Sequence, residues 1–463
     1  MVNTRYSTAK TRVTAGYYRR FNSQLASIAI WCGSMTCLLF GISMLCIGPL
    51  AARAEDWPQF QGADRTGLSS EASLAHNWPS TGVHARWTTV LASGFGGAIV
   101  QDGQVFIMDR VGEGMQGQDI LHCLHLADGK EIWRFSYAAP GEFDFPGARG
   151  TPAIDAECVY TLGPLGHLYC LGRYTHSPRW HANLLHDFHG PCPRWGVTQS
   201  PLLFQDVLIV APQSSSTGVV ALDKRTGKIR WASAPLGLMS YASPFLTRID
   251  GIAQIVMLTS GKTYTANTIV AGIDPANGRV LWRYTGWKCL IPIPCPTPLG
   301  QGRFFLTGMD SKSLIFQVFH EGNRWRCHTL VRNIPCASAL QNAVLYQEHL
   351  YLNSASTAQG LCCLDLKGQV VWSHNTIPPM DKGGSLIIAD GMLYFANDRN
   401  GMLYLAVANA KRYRELAAMQ ARTPKMNWAP MALSEGKLLV RDREHLQCFD
   451  VKDESDKSVK PVR

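Results

Sequence analysis

A hairpin signal recurs eight times along this 463-residue chain, and it restricts the fold more tightly than any other feature. It reads Asp102-Gly103, Asp155-Ala156, Asp206-Val207, Asp250-Gly251, Gln301-Gly302, Glu348-His349, Asp390-Gly391 and Glu435-Gly436. Several are of the Asp-Gly type that closes two-residue hairpins. Each leads into an apolar run such as VFIM, VLIV, RFFL or MLYF. A second, independent series is an apolar strand, a Gly-bearing turn and a strand that ends in Trp. It reads CLHLADGKEIW at 123–133, ALDKRTGKIRW at 221–231, GIDPANGRVLW at 272–282 and CLDLKGQVVW at 363–372, with a Gly-less copy, CLGRYTHSPRW, at 170–180. Trp87, Trp133, Trp180, Trp231, Trp282, Trp325 and Trp372 mark this series, Tyr413 takes the next place, and the spacings run from 41 to 51 residues.

Four short strands per unit, repeated eight times, is the pattern of a β-propeller blade. The apolar positions alternate with period two, which excludes a helical solenoid. The first Trp strand, at 85–91, comes before any complete blade, and the last repeat, MALSEGKLLVRDREHLQCFDV, stops before its own Trp strand. The prediction is an all-β, eight-bladed β-propeller. Its ring is closed by the N-terminal strand 85–91 pairing with the last blade, which removes two open sheet edges.

Composition agrees. Hydrophobic residues make up 46% and charged residues 17%, a balance that excludes a disordered chain. The 42 Gly, 25 Pro and 13 Trp suit strands and tight turns. Six of the ten net positive charges lie in residues 1–54, at Arg5, Lys10, Arg12, Arg19, Arg20 and Arg53, which leaves +4 on the rest. That near-neutral remainder carries no electrostatic footprint for nucleic acid. A basic stretch ending at Arg19-Arg20, an apolar run over 25–51 and the small-residue pattern Ala52-Arg53-Ala54 have the layout of an export signal. The apolar run also exceeds the roughly 20 residues that span a bilayer, so an uncleaved anchor is the alternative. The expected organisation is an export signal or membrane anchor over 1–54, a single propeller over 55–452 and a polar, disordered tail over 453–463.

The repeat ALDKRTGKIRW is nearly a copy of A-L-D-x-x-T-G-K-x-x-W, and the series resembles the pyrroloquinoline-quinone-like (PQQ-like) propeller repeat family. The segment from Asp56-Trp57-Pro58-Gln59-Phe60 to Thr66-Gly67 is similar to the opening of exported bacterial members. The resemblance spans about residues 56–452 and implies one of two functions. Quinoprotein alcohol dehydrogenases hold the quinone and calcium in the central channel. Non-catalytic relatives, such as the outer-membrane-assembly lipoprotein, bind partner proteins. Either implies a periplasmic protein, or one anchored in the membrane and facing the periplasm.

The channel decides between them. The inner strands are expected near 96–101, 149–154, 197–204, 241–248, 293–299, 341–346, 384–389 and 428–433, and none contains Asp or Glu. Calcium needs oxygen ligands and alcohol oxidation needs a base. The nearby acids Glu142, Asp144, Asp187 and Asp381 fall in outer turns or lead-in loops. The expectation is a non-catalytic scaffold with no cofactor. It binds other envelope proteins, or an unknown ligand, at one propeller face, and touches the membrane only through an N-terminal anchor. The alternative is a dehydrogenase holding PQQ with calcium, in which Glu142, Asp144 or Asp381 swings in beside Arg149 or Lys382.

Candidate binding residues at the channel face are Arg149, Trp195, Gln199, Tyr241, Ser243 and Lys382, of which the two cations suit an anion or an acidic partner group. Carbohydrate binding through Trp195 and Trp287 has no motif behind it. His186, Asp187, His189 and Cys192 are a possible transition-metal set, more simply read as polar surface. Eleven of the 14 Cys follow the leader without any C-x-x-C spacing. Cys289 with Cys295, or Cys327 with Cys336, are candidate disulfides that only geometry settles. Some quinoproteins of this family carry a vicinal disulfide, which Cys362-Cys363 would match. Yet Cys363 shares a register with Cys123, Cys170, Ala221, Gly272 and Cys448, where a small residue is needed. No G-x-S-x-G, H-E-x-x-H or P-loop pattern occurs.

Overall fold

The computed structural model describes residues 55–261, 263, 266–354, 359–424 and 426–453. The expected leader and nearly all of the tail lie outside the described residues. The described residues contain no helix and form eight sheets, each a four-stranded antiparallel meander, arranged as the blades of a ring. Blades one to seven lie at 99–138, 153–183, 202–232, 245–284, 297–334, 344–374 and 386–420. Blade eight combines three strands within 432–450 with Ala85–Val90, which pairs antiparallel with His445–Asp450 in the register Trp87 to Cys448. The ring is thus closed as expected, by the N-terminal strand. A short strand at Leu68–Ser69 adds in parallel to the inner strand Leu386–Ala389 of blade seven.

The hairpin signals sit between the first two strands of each blade, with two corrections of register. In blades three and six the turn lies one residue earlier, at Gln205-Asp206 and Gln347-Glu348, because Val207 and His349 already pair as strand residues. Blade two makes a longer turn, held by the Asp155 carboxylate, which accepts the backbone N–H groups of Glu157 and Cys158 at 2.9 Å each.

The Trp series builds the seams between blades. Trp133, Trp180, Trp231, Trp282, Trp372 and Trp87 lie directly opposite Cys123, Cys170, Ala221, Gly272, Cys363 and Cys448. The small residue leaves room for the indole, which reaches on to the next blade. The indole N–H of Trp180 donates to the Lys224 carbonyl at 2.9 Å, that of Trp231 to Pro275 at 2.9 Å and that of Trp372 to Asn409 at 3.0 Å. Each ring lies on the turn of the neighbouring repeat. A Cβ at Gly227 or Gly278, both with φ above +70°, would come within 2.8 Å or less of a Trp ring. Where blade two lost its Gly, His176 stacks on Trp133 instead, with centroids 4.7 Å apart.

Two members of the series differ from expectation. Blade five has long outer strands, so Trp325 sits at their turn beside His320, and Ile334 takes the seam against Gly368. In blade seven, Ala417 occupies the Trp register opposite Leu405. Tyr413 precedes that strand and stacks on His374 at 3.7 Å.

The closing seam between blades eight and one adds buried ions to the indole of Trp87, which donates to the Leu126 carbonyl at 2.9 Å. Buried Arg441 donates to the Met108 carbonyl at 2.7 Å and lies 3.4 Å from Asp109. Asp109 also accepts the Ala92 N–H at 2.6 Å and faces His122. Burial would raise the Asp109 pKa, but its hydrogen bond to His122 and the charge of Arg441 together hold it below the usual carboxylate value.

Candidate functional site

The chain enters each inner strand through a short segment that descends into the ring. Residues one or two positions before these strands form a belt. The Thr151 hydroxyl accepts the Gly97 N–H at 3.0 Å, Ser200 accepts that of Thr151 at 3.1 Å and Ser243 accepts that of Ser200 at 2.9 Å. On the far side, Asn342 accepts from the Cys295 N–H at 2.8 Å and Ser385 from that of Met431 at 2.9 Å. These bonds cross blade boundaries and satisfy backbone donors that the meanders leave over.

Above the belt lies a cavity of about 410 Å³. The residue four positions before each inner strand lines it: Phe95, Arg149, Thr198, Tyr241, Ile293, Leu340, Lys382 and Trp428, one from each blade. Trp195, Phe145, Phe60 and Met309 add further apolar wall. Phe95 stacks on Trp428 at 5.4 Å, Phe145 meets Trp428 edge-on at 5.7 Å, and Trp195 lies 5.3 Å from Tyr241.

Two cations enter this apolar mouth. The Arg149 guanidinium lies over the ring of Phe143, 4.8 Å from its centroid, and donates to the carbonyls of Gly147 and Phe145. Those bonds use two of its five donors. Burial and the nearby charge of Arg110 bring its pKa down to about 10, so it remains charged at neutral pH. Lys382 is more open, at 41% side-chain exposure, with its Nζ 3.9 Å from Asp381. Beneath it, buried Asp398 accepts the N–H groups of Asp381 at 3.0 Å and Lys382 at 2.8 Å and the Trp428 indole at 3.2 Å. One carboxylate thereby fixes two of the lining residues.

Five of the six candidate residues line the cavity: Arg149, Trp195, Tyr241, Ser243 and Lys382. Gln199 does not. Its side chain is spent inside blade three, accepting the Ala211 N–H at 2.7 Å and donating to the Ala211 carbonyl at 2.8 Å. Phe95, Ile293, Leu340 and Trp428 escape a search for polar residues, although counting four back from each inner strand finds them all. Trp287 is buried, its indole donating to the Lys312 carbonyl at 2.9 Å, and presents no face to a sugar.

The acids expected to serve a calcium site, Glu142, Asp144 and Asp381, all lie outside the cavity wall, Asp381 beside Lys382. Asp144 pairs with Arg194 at 2.8 Å, and Asp398 is surrounded by N–H donors. Among the described residues the cavity wall includes no Asp or Glu. Aromatic walls and two cations would suit the quinone and its carboxylates, but the residues present do not provide the oxygen set of a calcium ion or a carboxylate base. His186 pairs with Asp187 at 2.9 Å, and among the described residues no three potential ligands gather as a metal site. Among the eleven described cysteines no two sulfurs lie at disulfide-bond distance. Cys289 faces the Met309 carbonyl, Cys295 that of Ser243, and Cys336 faces Cys362 rather than Cys327.

Ring and repeats together define an eight-bladed β-propeller. Residues 116–286 match the family profile described as outer membrane protein assembly factor BamB. Among solved structures the chain is similar to quinohemoprotein alcohol dehydrogenase from Comamonas testosteroni, with TM-score 0.60 and 14% identity over 89% of this chain and 82% of that one. It is similar to a europium-containing methanol dehydrogenase, with TM-score 0.61 and 10% identity over 83% and 89%. It is also similar to BamB from Moraxella catarrhalis, with TM-score 0.52 and 11% identity over 80% and 97%. At such identities the likeness shows the fold alone. No curated protein matches the sequence.

Proposed function

We propose that this protein is a non-catalytic binding scaffold that works outside the cytoplasm and receives an acidic group of a partner envelope protein, or an anionic ligand, at the channel mouth. The observation that carries this reading is the mouth itself, which joins Arg149 and Lys382 to aromatic walls without a carboxylate. A positive, apolar cavity holds an anion by charge and its apolar flank by burial. The match of residues 116–286 to an outer membrane assembly factor and the export-type layout of residues 1–54 support the location. A PQQ-dependent quinoprotein dehydrogenase is the second reading, favoured by the same aromatic walls and paired cations.

Calorimetric titration of the purified protein with pyrroloquinoline quinone, with and without calcium, separates the two. The scaffold reading expects no calcium-dependent binding. Saturable tight binding that requires calcium would overturn it in favour of the dehydrogenase.

A further inference from the structure

The sulfurs of Cys336 and Cys362 face each other between the lead-in segment of blade six and its sheet. Cys336 lies in the lead-in segment between blades five and six, and Cys362 lies on the strand Gly360–Asp365 of blade six. Their Sγ atoms are 2.9 Å apart, about 0.9 Å beyond the length of a disulfide bond. Both residues are fully buried among Ile334, Leu350, Leu352 and Leu364. Cys363, the next residue, points to the opposite face of the strand, where it lies across from Trp372. A vicinal bond between Cys362 and Cys363 would have to abandon that packing.

We propose that Cys336 and Cys362 form a disulfide that staples the lead-in segment of blade six to its own sheet. The bond would act on the mouth, because Leu340, Gln341 and Asn342 of the stapled segment line the cavity. Gln341 donates to the Trp428 carbonyl at 2.7 Å, and Asn342 takes part in the belt. Oxidation proceeds by exchange with a disulfide such as oxidised glutathione. A thiolate of the pair attacks it and displaces one glutathione thiolate, which leaves a mixed disulfide. The second cysteine, as a thiolate, attacks the mixed disulfide and releases the other glutathione. The two cysteines lose two protons and two electrons, and the glutathione disulfide gains them as two thiols. Because neither sulfur is exposed in the folded ring, the exchange belongs to folding, and the finished bond is shielded from reductants.

The test is synthesis of the full chain in a cell-free system buffered with oxidised and reduced glutathione, followed by alkylation before any reductant is added. This arrangement makes the outcome independent of where the protein resides in a cell. No Lys or Arg lies between Arg332 and Lys367, so trypsin leaves both cysteines in one peptide, and cleavage after Glu348 divides it into 333–348 and 349–367. The expected result is that these halves stay joined through Cys336 and Cys362, with Cys363 alkylated. Alkylation of both Cys336 and Cys362, or a bridge through Cys363 or Cys327, overturns the proposal. Cys336→Ala and Cys362→Ala should each lower Tm by about 4 °C in oxidising buffer relative to the unsubstituted chain. When the chains are instead synthesised and kept in reducing buffer, so that the bond does not form, that gap should shrink. An equal loss in both buffers would mean that the pair contributes packing only.

Discussion

At the rim, six blades place an indole opposite Cys, Ala or Gly and send it onto the next blade. At the mouth, the position four residues before each inner strand holds Phe, Arg, Thr, Tyr, Ile, Leu, Lys and Trp in turn. Both sets are fixed by the same eightfold register. The rim position meets the same problem in every blade, which is to fill a seam between two sheets, and in six of the eight an indole solves it. The mouth positions converge on one shared space, so eight unlike residues can together shape an asymmetric cavity. Sameness therefore marks the parts that hold the ring together, and variation within the register marks the surface available for recognition.

The sharpest way to break this contrast is to cut an indole at the rim. Trp231→Ala removes the contact with the turn at Gly278 and the hydrogen bond to Pro275. It should cost about 3 kcal/mol, read as a lower urea midpoint. Trp133 offers an internal control, since its indole N–H finds no hydrogen-bond partner and its seam rests on stacking with His176. Trp133→Phe should therefore cost about 1 kcal/mol less than Trp231→Phe. Equal losses would show that the indole hydrogen bonds contribute nothing to the seams.

This contrast also explains what the sequence made legible. Blade number, strand order and ring closure were readable because each rests on a pattern that recurs. The two shifted hairpins show where that reading weakens, since Gln205-Asp206 and Asp206-Val207 are both plausible turns until pairing across the strands chooses one. Tyr413 was placed by spacing, but pairing across the strands puts Ala417 in the Trp register. At the mouth, Arg149, Tyr241 and Lys382 stood out because charged and polar aromatic residues are unusual at the entry to an inner strand. Ile293 and Leu340 did not, because an aliphatic residue before a buried strand looks like core. Gln199 misled for the opposite reason: a buried amide can serve its own blade's backbone as readily as a ligand.

A smaller change tests the other half of the contrast. Lys382→Gln removes a charge at the mouth without disturbing the backbone bonds to Asp398. Stability should move by no more than about 0.5 kcal/mol. Binding of anilinonaphthalene sulfonate, an aromatic anion, should weaken about three- to tenfold, and the loss should shrink as salt is raised. Trp231→Ala should leave that affinity intact in the protein that remains folded. If Lys382→Gln cost stability instead of binding, the mouth residue would be part of the framework and the distinction would fail.

The smallest effect concerns the closing seam, where a buried ion cluster lies beside the indole of Trp87. His122 stands between Glu131, at 2.7 Å, and Asp109, at 3.4 Å. Burial works against its charged form, but hydrogen bonds to Asp109 and Glu131 and their charges outweigh it, so its pKa is raised above the ordinary value. The sign follows from proton linkage: the folded state binds the proton more tightly than the unfolded one. The resulting stabilisation is fully present below the unfolded value of about 6.5 and is lost as pH rises through the higher folded value. Thermal unfolding across that window should show Tm falling with pH in the native protein, and His122→Gln should flatten this part of the slope. Trp231→Ala should lower the whole curve without changing its slope, since an indole has no proton to lose. A native slope that persists in the His122 variant would remove the ion cluster as the pH-sensitive seam and leave all eight seams alike in this respect.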